Sequence, residues 1–319
     1  MKAKKVLFQT AKIVVSLGLI VFLVWKISPS KIVPHLKSVK PGYLAGAASV
    51  FALSSFLGAL QWYILLRESD MYIRFTTAVR FYFVGLFFNN FLPANVGGDA
   101  FKIFDVSRKG YDPHRVFAIT LLDRIFGILG LCVVALAASL ILLPSGAIDN
   151  LPVYIIIFGG IISAGLISMF NRPIARLVRR IFSGIEFLNI GRRMTVIFNQ
   201  LGELRSIKPV MLRVTGLALV VQSLRICTHI MVGGAFGLDL SGVVPLYFFV
   251  FVPILGLIMI LPISLNGLGV REGAGVLLFA GVSIAGEQAL LIEFLTYVIM
   301  VMVSLAGGLL FLRRQLKRN

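Results

Sequence analysis

The chain has 319 residues, of which 58% are hydrophobic and only 14% are charged, and its mean hydropathy is +0.96. About a quarter of the residues in a soluble domain are charged, so this composition excludes an ordinary soluble protein and predicts a polytopic membrane protein. The net charge of +18 does not indicate nucleic-acid binding, because the basic residues lie in loops and at the ends of apolar runs, as the positive-inside rule expects.

The N-terminal half contains three long apolar runs and one that is interrupted. The long runs predict membrane spans at 7–27, 43–66 and 116–143, since about 20 apolar residues cross a bilayer. Between the second and third, two short arms (75–90 and a weakly amphipathic piece ending at Arg108) flank a break that contains Pro93, Gly97 and Gly98. Broken backbone at membrane depth is tolerated only where it lines a cavity or is buried in protein, so we predict a re-entrant or broken helical hairpin.

The C-terminal half has a similar plan. Apolar runs predict spans at 151–170, 210–236 and 290–312. Two further short arms, 246–261 and 270–282, flank a second break with Pro262, Gly267 and Gly269. The segment 171–209 carries eight basic and two acidic residues, with apolar residues at helical spacing. It predicts a cytoplasmic amphipathic helix on the membrane surface, and a solvated basic connector is the alternative.

The order of spans predicts an all-α transmembrane domain built as an inverted-topology repeat, with repeats at about 1–145 and 151–319. The loops without Lys or Arg, at 144–150, 237–243 and 283–289, should face outside, which places both termini in the cytoplasm of a protein in the cell membrane. Lys31, Lys37 and Lys40 would then lie outside, against the rule. Eight or ten full crossings, without re-entrant hairpins, is the alternative topology.

Charged residues inside apolar sequence are functional candidates, because each costs several kcal/mol in lipid unless it faces a shared interior or a wet cavity. Helix starts at the two breaks would aim free N–H groups at the bilayer centre, which suits an anion such as phosphate. We therefore expect one central site. Candidates for headgroup contact are Arg271, Lys102, Arg124, Arg225, Gly267, Gly269 and Asn90. Candidates for counter-charge or coupling are Asp99, Asp123, Glu272 and Glu293.

Structural roles remain as alternatives for several of these residues. Asp99 could serve only as a helix N-cap, Arg271 and Glu272 could form a structural ion pair, and Glu293 could simply accompany an arginine. Asp123 and Arg124 are adjacent, so on a helix they point about 100° apart and each needs a different partner.

The sequence has no ATPase, nucleotide-binding or metal-binding motif. The three histidines lack metal-ligand spacing, and Cys132 and Cys227 lie within apolar runs, where unpaired thiols are expected. We therefore expect no metal, no cofactor and no enzymatic activity.

Three motifs in order carry a resemblance to a known family. They are Asn89-Asn90-Phe91-Leu92-Pro93 with Gly97-Gly98-Asp99; Asp123-Arg124 with Gly127; and Pro262-x-Ser264 leading to Gly267-x-Gly269-x-Arg271-Glu272. Over nearly its whole length the chain resembles the lysylphosphatidylglycerol synthase transmembrane-region family, also called flippase-like domain proteins. The resemblance implies a membrane domain that moves lipids. Lys102 departs from the arginine that the family more often has, and it loses bidentate geometry.

The leading hypothesis is a flippase that moves an anionic, phosphate-bearing lipid or lipid-linked headgroup between leaflets through a central charged cavity. Lipid lysinylation is not expected, because the chain ends at Asn319 after its last span. The alternatives are an intramembrane transferase with Asp99, Asp123 or Glu272 as general base, and an accessory subunit of a separate lipid-modifying enzyme. Membrane lipids are the expected partners, with a second copy of the chain or that separate enzyme as further candidates, and nucleic acid is not expected.

Overall fold

The computed structural model describes residues 39–91, 97–170, 208–260 and 267–316, and the regular structure in these ranges is helical. Four predictions lie outside the described residues. They are the first span at 7–27, most of the amphipathic segment at 171–209, and the two break prolines, Pro93 and Pro262.

Nine α-helices are present in the described ranges. They are α1 (Pro41–Arg67), α2 (Phe75–Phe91), α3 (Gly97–Ser107), α4 (Pro113–Leu142), α5 (Leu151–Phe170), α6 (Lys208–Ala235), α7 (Val244–Ile258), α8 (Val270–Ala280) and α9 (Gly286–Leu316). Each predicted span and hairpin arm after residue 39 is confirmed as a helix close to its predicted bounds. Proline at the first position begins α1 and α4, where its missing N–H costs nothing.

Four of these helices, α1, α4, α6 and α9, are long and apolar enough to cross a membrane. Large apolar side chains are exposed along them and along α5, for example Leu140, Ile156 and Leu309. In water such a surface would be costly, whereas in lipid it is ordinary. The predicted all-α integral membrane protein is confirmed.

The helices fall into two sets with the same order: α1, α2, α3, α4 and then α6, α7, α8, α9. In each set a long helix packs on the first short helix, the two short helices pack on each other, and the second short helix packs on the next long one. The contacts between the sets also match, because α4 packs on α7 and α9 packs on α2. Each of these eight helices therefore has a counterpart in the other set.

The first long helices of the two sets, α1 and α6, run antiparallel. The N–H of Lys40 donates to the carbonyl of Ala235, at 3.0 Å, which joins the start of α1 to the end of α6. At the other end of α1, Leu66 belongs to the same buried cluster as Val210 from the start of α6. An inverted repeat requires this antiparallel relation. The inverted-topology repeat, the depth of the hairpins in the membrane and their re-entrant topology stay predictions.

Two apolar clusters form the interior, and α6 passes through both. Its first part, with Val214, packs in a cluster around Trp62, and its later part, with Ile226 and Val232, packs in a cluster around Phe251. Gln222 and Arg225 of α6 lie in sequence between its members of the first cluster and those of the second.

Candidate functional site

Asp99 holds two cations from two helices. The Nζ atom of Lys102, one turn later on α3, lies 2.8 Å from its Oδ1 atom, and Arg124 of α4 pairs with its Oδ2 atom through Nε. Asn89, rather than Asp99, caps the start of α3, because its Oδ1 atom accepts from the N–H of Gly98 at 2.8 Å. Asp99 therefore makes ion pairs, and Asn89 satisfies the broken backbone.

Asp123 is held separately by α1. The Nε2 atom of Gln61 donates to its Oδ1 atom at 2.8 Å. The prediction that the adjacent Asp123 and Arg124 need different partners is confirmed. Sequence reasoning missed Gln61, whose only signal was a polar residue in a long apolar run.

Two aromatic rings enclose Lys102. Its ammonium lies 5.0 Å from the ring centroid of Tyr82 and 5.4 Å from that of Trp62, within the range of cation–π attraction. The Tyr82 hydroxyl also accepts from the Nη2 atom of Arg225, at 3.4 Å. Tyr82 therefore connects α2 to α6, and it was also missed by sequence reasoning.

We call the group of Asp99, Lys102, Asp123, Arg124 and Arg225 the Asp99 cluster. It has three cations and two carboxylates, a formal surplus of one positive charge. Asp99 and Lys102 are 10% and 7% exposed as side chains, but Arg124 is 36% exposed. Within the described part of the chain Arg225 contacts no carboxylate, and its Nε atom is buried without a hydrogen-bond partner. The cluster has an open edge and spare positive charge.

A second group, which we call the Arg271 cluster, consists of His229, Arg271, Glu272 and Glu293. The Nη2 atom of Arg271 lies 3.1 Å from Oε1 of Glu272, and its Nε atom lies 3.4 Å from Oε2 of Glu293. The Nδ1 atom of His229 lies 2.9 Å from the other oxygen of Glu293. Arg271, Glu272 and Glu293 are 2%, 1% and 0% exposed as side chains. This cluster is closed and internally paired.

The turn before α8 uses two glycines with left-handed backbone. Gly267 has φ +79° and Gly269 has φ +84°, which are dihedrals that glycine adopts readily and other residues resist. The N–H of Gly269 donates to Oε2 of Glu272 at 2.6 Å, and the N–H of Arg271 donates to the carbonyl of Gly267 at 2.8 Å. In this conformation the Gly269 donor is occupied by the chain's own carboxylate, and headgroup contact by these residues stays a prediction.

The first hairpin depends on a close approach of two glycines. A Cβ atom on Gly98, just after Gly97 at the start of α3, would meet the backbone carbonyl of Gly85 on α2. A Cβ atom on Gly85 would in turn lie 2.9 Å from the carbonyl oxygen of Gly98. Asn90 connects the same hairpin to α9, because its Nδ2 atom donates to the hydroxyl of Ser304 at 2.6 Å. Its predicted contact with a headgroup stays a prediction.

The two clusters occupy matching places with reversed charge. In the first half Asp99, at the start of the second short helix, pairs with Arg124 of the following long helix. In the second half Arg271 occupies the start of the second short helix and contacts Glu293 of the following long helix. Arg225 and His229 are one turn apart on α6, about 6 Å along the axis. One member of each cluster thus lies on α6, and the single central site stays a prediction.

Within the ranges that the structure describes, no group of three or more His, Cys, Asp or Glu side chains is placed to hold a metal ion. Cys132 and Cys227 are both free thiols. The polar chemistry of the described interior is that of ion pairs and hydrogen bonds.

The sequence profile of the family described as Lysylphosphatidylglycerol synthase TM region matches residues 9–308. The matched range contains the first helix set, the second set except the last eight residues of α9, and every member of the two clusters. No curated protein and no solved structure matches the chain. Since the match extends over far more than half of the 319 residues, the chain belongs to the lysylphosphatidylglycerol synthase transmembrane-region family.

Proposed function

We propose that the protein is a lipid translocase that binds the phosphate-bearing headgroup of an anionic lipid at the Asp99 cluster and moves it between leaflets. Membership of the family gives the chain a lipid-related role in a membrane. The proposal adds that the protein translocates its lipid, that the headgroup is anionic and that the protein catalyses no reaction. It also places the protein in the cell membrane with both termini in the cytoplasm. Its further partners would be a second copy of the chain or a separate lipid-modifying enzyme.

The observation that carries the proposal is spare positive charge at an open edge of the interior. Arg225 has a buried Nε atom without a hydrogen-bond partner in the described structure, and Arg124, another member of the same cluster, is 36% exposed. Cations inside a membrane protein are retained where an anion or a wet cavity compensates them. Guanidinium groups bind phosphate with two parallel hydrogen bonds, so a lipid phosphate would complete this cluster.

In the proposal, the Arg271 cluster is the second place where the headgroup binds. Its charges are closed in this conformation, so contact of a headgroup with Arg271, Gly267 and Gly269 requires the second hairpin to open. Inverted repeats exchange the conformations of their halves when access alternates between the two sides. The headgroup would thus meet one cluster from each leaflet, and the movement would be passive or driven by an ion gradient.

The transferase alternative requires a carboxylate that is available as a general base. Asp99 already accepts from Lys102 and Arg124, and Glu272 accepts from Arg271 and the N–H of Gly269. Asp123 accepts from Gln61. All three candidate bases are engaged, which favours binding and movement over catalysis.

The proposal is tested by substituting Arg225 and measuring lipid movement in liposomes. The purified chain is reconstituted with fluorescent phosphatidylglycerol in both leaflets, and an impermeant reductant destroys the fluorophore in the outer leaflet. We expect the wild type to expose the inner pool and Arg225→Gln to slow this about ten-fold or more, since a hydrogen bond to a charged group contributes about 1.5 to 3 kcal/mol.

The matched control is Arg213→Gln, because Arg213 lies on the same helix with an exposed side chain. It should move lipid at the wild-type rate. Equal rates for wild type and Arg225→Gln, or no movement of phosphatidylglycerol by the wild type, would overturn the proposal.

A further inference from the structure

The Arg271 cluster has more negative than positive charge. It contains two carboxylates, Glu272 and Glu293, and one arginine, and all three side chains are at most 2% exposed. An uncompensated charge at such depth is very costly, so a buried group of this kind neutralises itself by binding or releasing a proton.

The two carboxylates do not share the arginine equally. Glu272 lies 3.1 Å from the Nη2 atom of Arg271 and also accepts from the N–H of Gly269 at the start of α8, where the helix dipole favours negative charge. Glu293 lies 3.4 Å from the Nε atom of Arg271, but neither that atom nor Oε2 of Glu293 has a hydrogen-bond partner in the described structure. Arg271 is therefore mainly the partner of Glu272.

Glu293 depends on His229 instead. The contact of 2.9 Å between Nδ1 of His229 and Oε1 of Glu293 is the one hydrogen bond that the structure gives to this carboxylate. A fully buried carboxylate that is ionised normally accepts several hydrogen bonds. One proton on this pair, on either the imidazole or the carboxyl group, gives the whole cluster a net charge of zero.

Other helices packed against the pair bring little further charge. Two of the helices that pack on α6 are α7 and α1. Helix α7 contains no charged residue and only Tyr247 as a titratable group. The one charged residue of α1 is Arg67, at its far end. The charged residue of α2, Arg80, is exposed. Asp123 and Arg124 of α4 belong to the Asp99 cluster, and His114 and Arg115 lie in the first turn of that helix. Helix α9 adds Glu287 in its first turn, Arg313 and Arg314 in its last turn, and Tyr297, whose ring lies under the Arg271 guanidinium.

We propose that His229 and Glu293 form a buried proton-binding site that holds one exchangeable proton between Nδ1 and Oε1. Loss of this proton leaves a negative charge in the Arg271 cluster, one helical turn from Arg225. That charge attracts the Arg225 guanidinium and competes with an anion for it. Protonation of the pair therefore strengthens anion binding at the Asp99 cluster, a coupling that rests on the proposed function.

The proton site itself is tested without any transport. Infrared spectra of the full chain in lipid nanodiscs are recorded through a pH titration, with isotope-labelled histidine to separate imidazole from carboxyl bands. We expect one titrating band that is lost in Glu293→Gln and displaced in His229→Asn, which keeps a donor near the Nδ1 position but cannot become a cation. Glu287→Gln, on the same helix, is the control.

Identical titration spectra in the wild type and both variants would overturn the proton site. Two variants are used because either one alone could fail to fold.

The coupling is tested by binding. Trp62 lies beside Lys102, and the other tryptophan of the chain is Trp25. In a Trp25→Phe background, tryptophan fluorescence therefore comes from Trp62 alone. Its change measures the binding of dioctanoyl phosphatidylglycerol at the Asp99 cluster. We expect the background protein to bind about ten-fold more tightly at about pH 6 than at about pH 8, a typical size for coupling between sites. Glu293→Gln, which imitates the protonated pair, should bind tightly at both.

Two results separate the proposals. Glu293→Gln with unchanged pH dependence would overturn the coupling. No binding of this lipid at any pH, with the titrating infrared band present, would overturn the proposed function and the coupling but leave the proton site in place.

Discussion

Asp99 is the residue on which the polar interior of the first half depends. It compensates Lys102, which is buried between two aromatic rings, and Arg124, which comes from another helix. A buried ion pair is not strongly stabilising in itself, but removal of one partner leaves the other charge without compensation. Replacing Asp99 by a neutral residue therefore lowers the free energy of unfolding by more than the loss of a single contact would.

Asp99→Asn should lower the free energy of unfolding by about 2 to 4 kcal/mol, because Lys102 keeps its burial and loses its counter-charge. Thermal unfolding in mild detergent, followed by helical circular dichroism, measures the change. Asp239→Asn, in an exposed loop where the hydrogen bonds of Asp239 within the described residues go to Ser241, should leave the unfolding temperature unchanged. Equal unfolding temperatures for both variants would show that Asp99 does not compensate these cations.

At the scale of helices, the first hairpin is held by contacts of several kinds. Gly85 and Gly98 let α2 and α3 approach each other, and Phe88 and Phe101 stack with ring centroids 3.7 Å apart. Arg314 near the end of α9 then pairs with the buried Asp105 of α3, at 2.6 Å. The hairpin thus belongs to the first half in sequence but is fastened to the last helix of the second half.

Gly98→Ala should destabilise the hairpin by about 1 to 3 kcal/mol, because the added methyl group meets the Gly85 backbone rather than a movable side chain. Gly159→Ala is the control, since a Cβ atom on that glycine of α5 meets nothing within 4 Å. The control should be neutral or stabilising by up to about 1 kcal/mol, owing to the higher helix propensity of alanine. Thermal unfolding in mild detergent compares the two. Equal effects would contradict the packing argument.

The sequence predicted the helices well because the bilayer demands long apolar runs, and it located α5 at its observed bounds of Leu151–Phe170. It also predicted that Asp123 and Arg124 have different partners, since helix geometry alone requires this. It did not reveal Gln61, Tyr82 or Asp105 as members of the polar interior. Their partners lie tens of residues or more away in the chain, and no local period or motif records such a contact.

At the scale of the whole molecule, the two helix sets meet along α1 and α6 and exchange matching contacts through α4 with α7 and α9 with α2. Movement of one half against the other must change these contacts. Asn90 and Ser304, which are joined by a hydrogen bond of 2.6 Å between α2 and α9, lie at one such contact and can serve to lock it.

A disulfide between Asn90→Cys and Ser304→Cys, in a background without Cys132 and Cys227, should stop lipid movement under oxidising conditions. A reductant should restore it, because the lock removes the relative motion that alternating access requires. The liposome assay measures both states, and each single cysteine variant is a control for the substitutions themselves. Unchanged movement in a fully cross-linked sample would exclude motion of α2 against α9.

The reversed charges of the two halves have a consequence for the two faces of the membrane. If the halves were identical, exchanging their conformations would present the same site to each leaflet in turn. Here the Asp99 cluster, which includes Arg225 from α6, has a surplus positive charge, and the Arg271 cluster is balanced only when the proposed proton is bound. The apparent affinity for a headgroup must then differ between the leaflets, although the final distribution of lipid at equilibrium is unaffected. In liposomes with randomly oriented protein, uptake from one side should therefore follow two saturation phases rather than one.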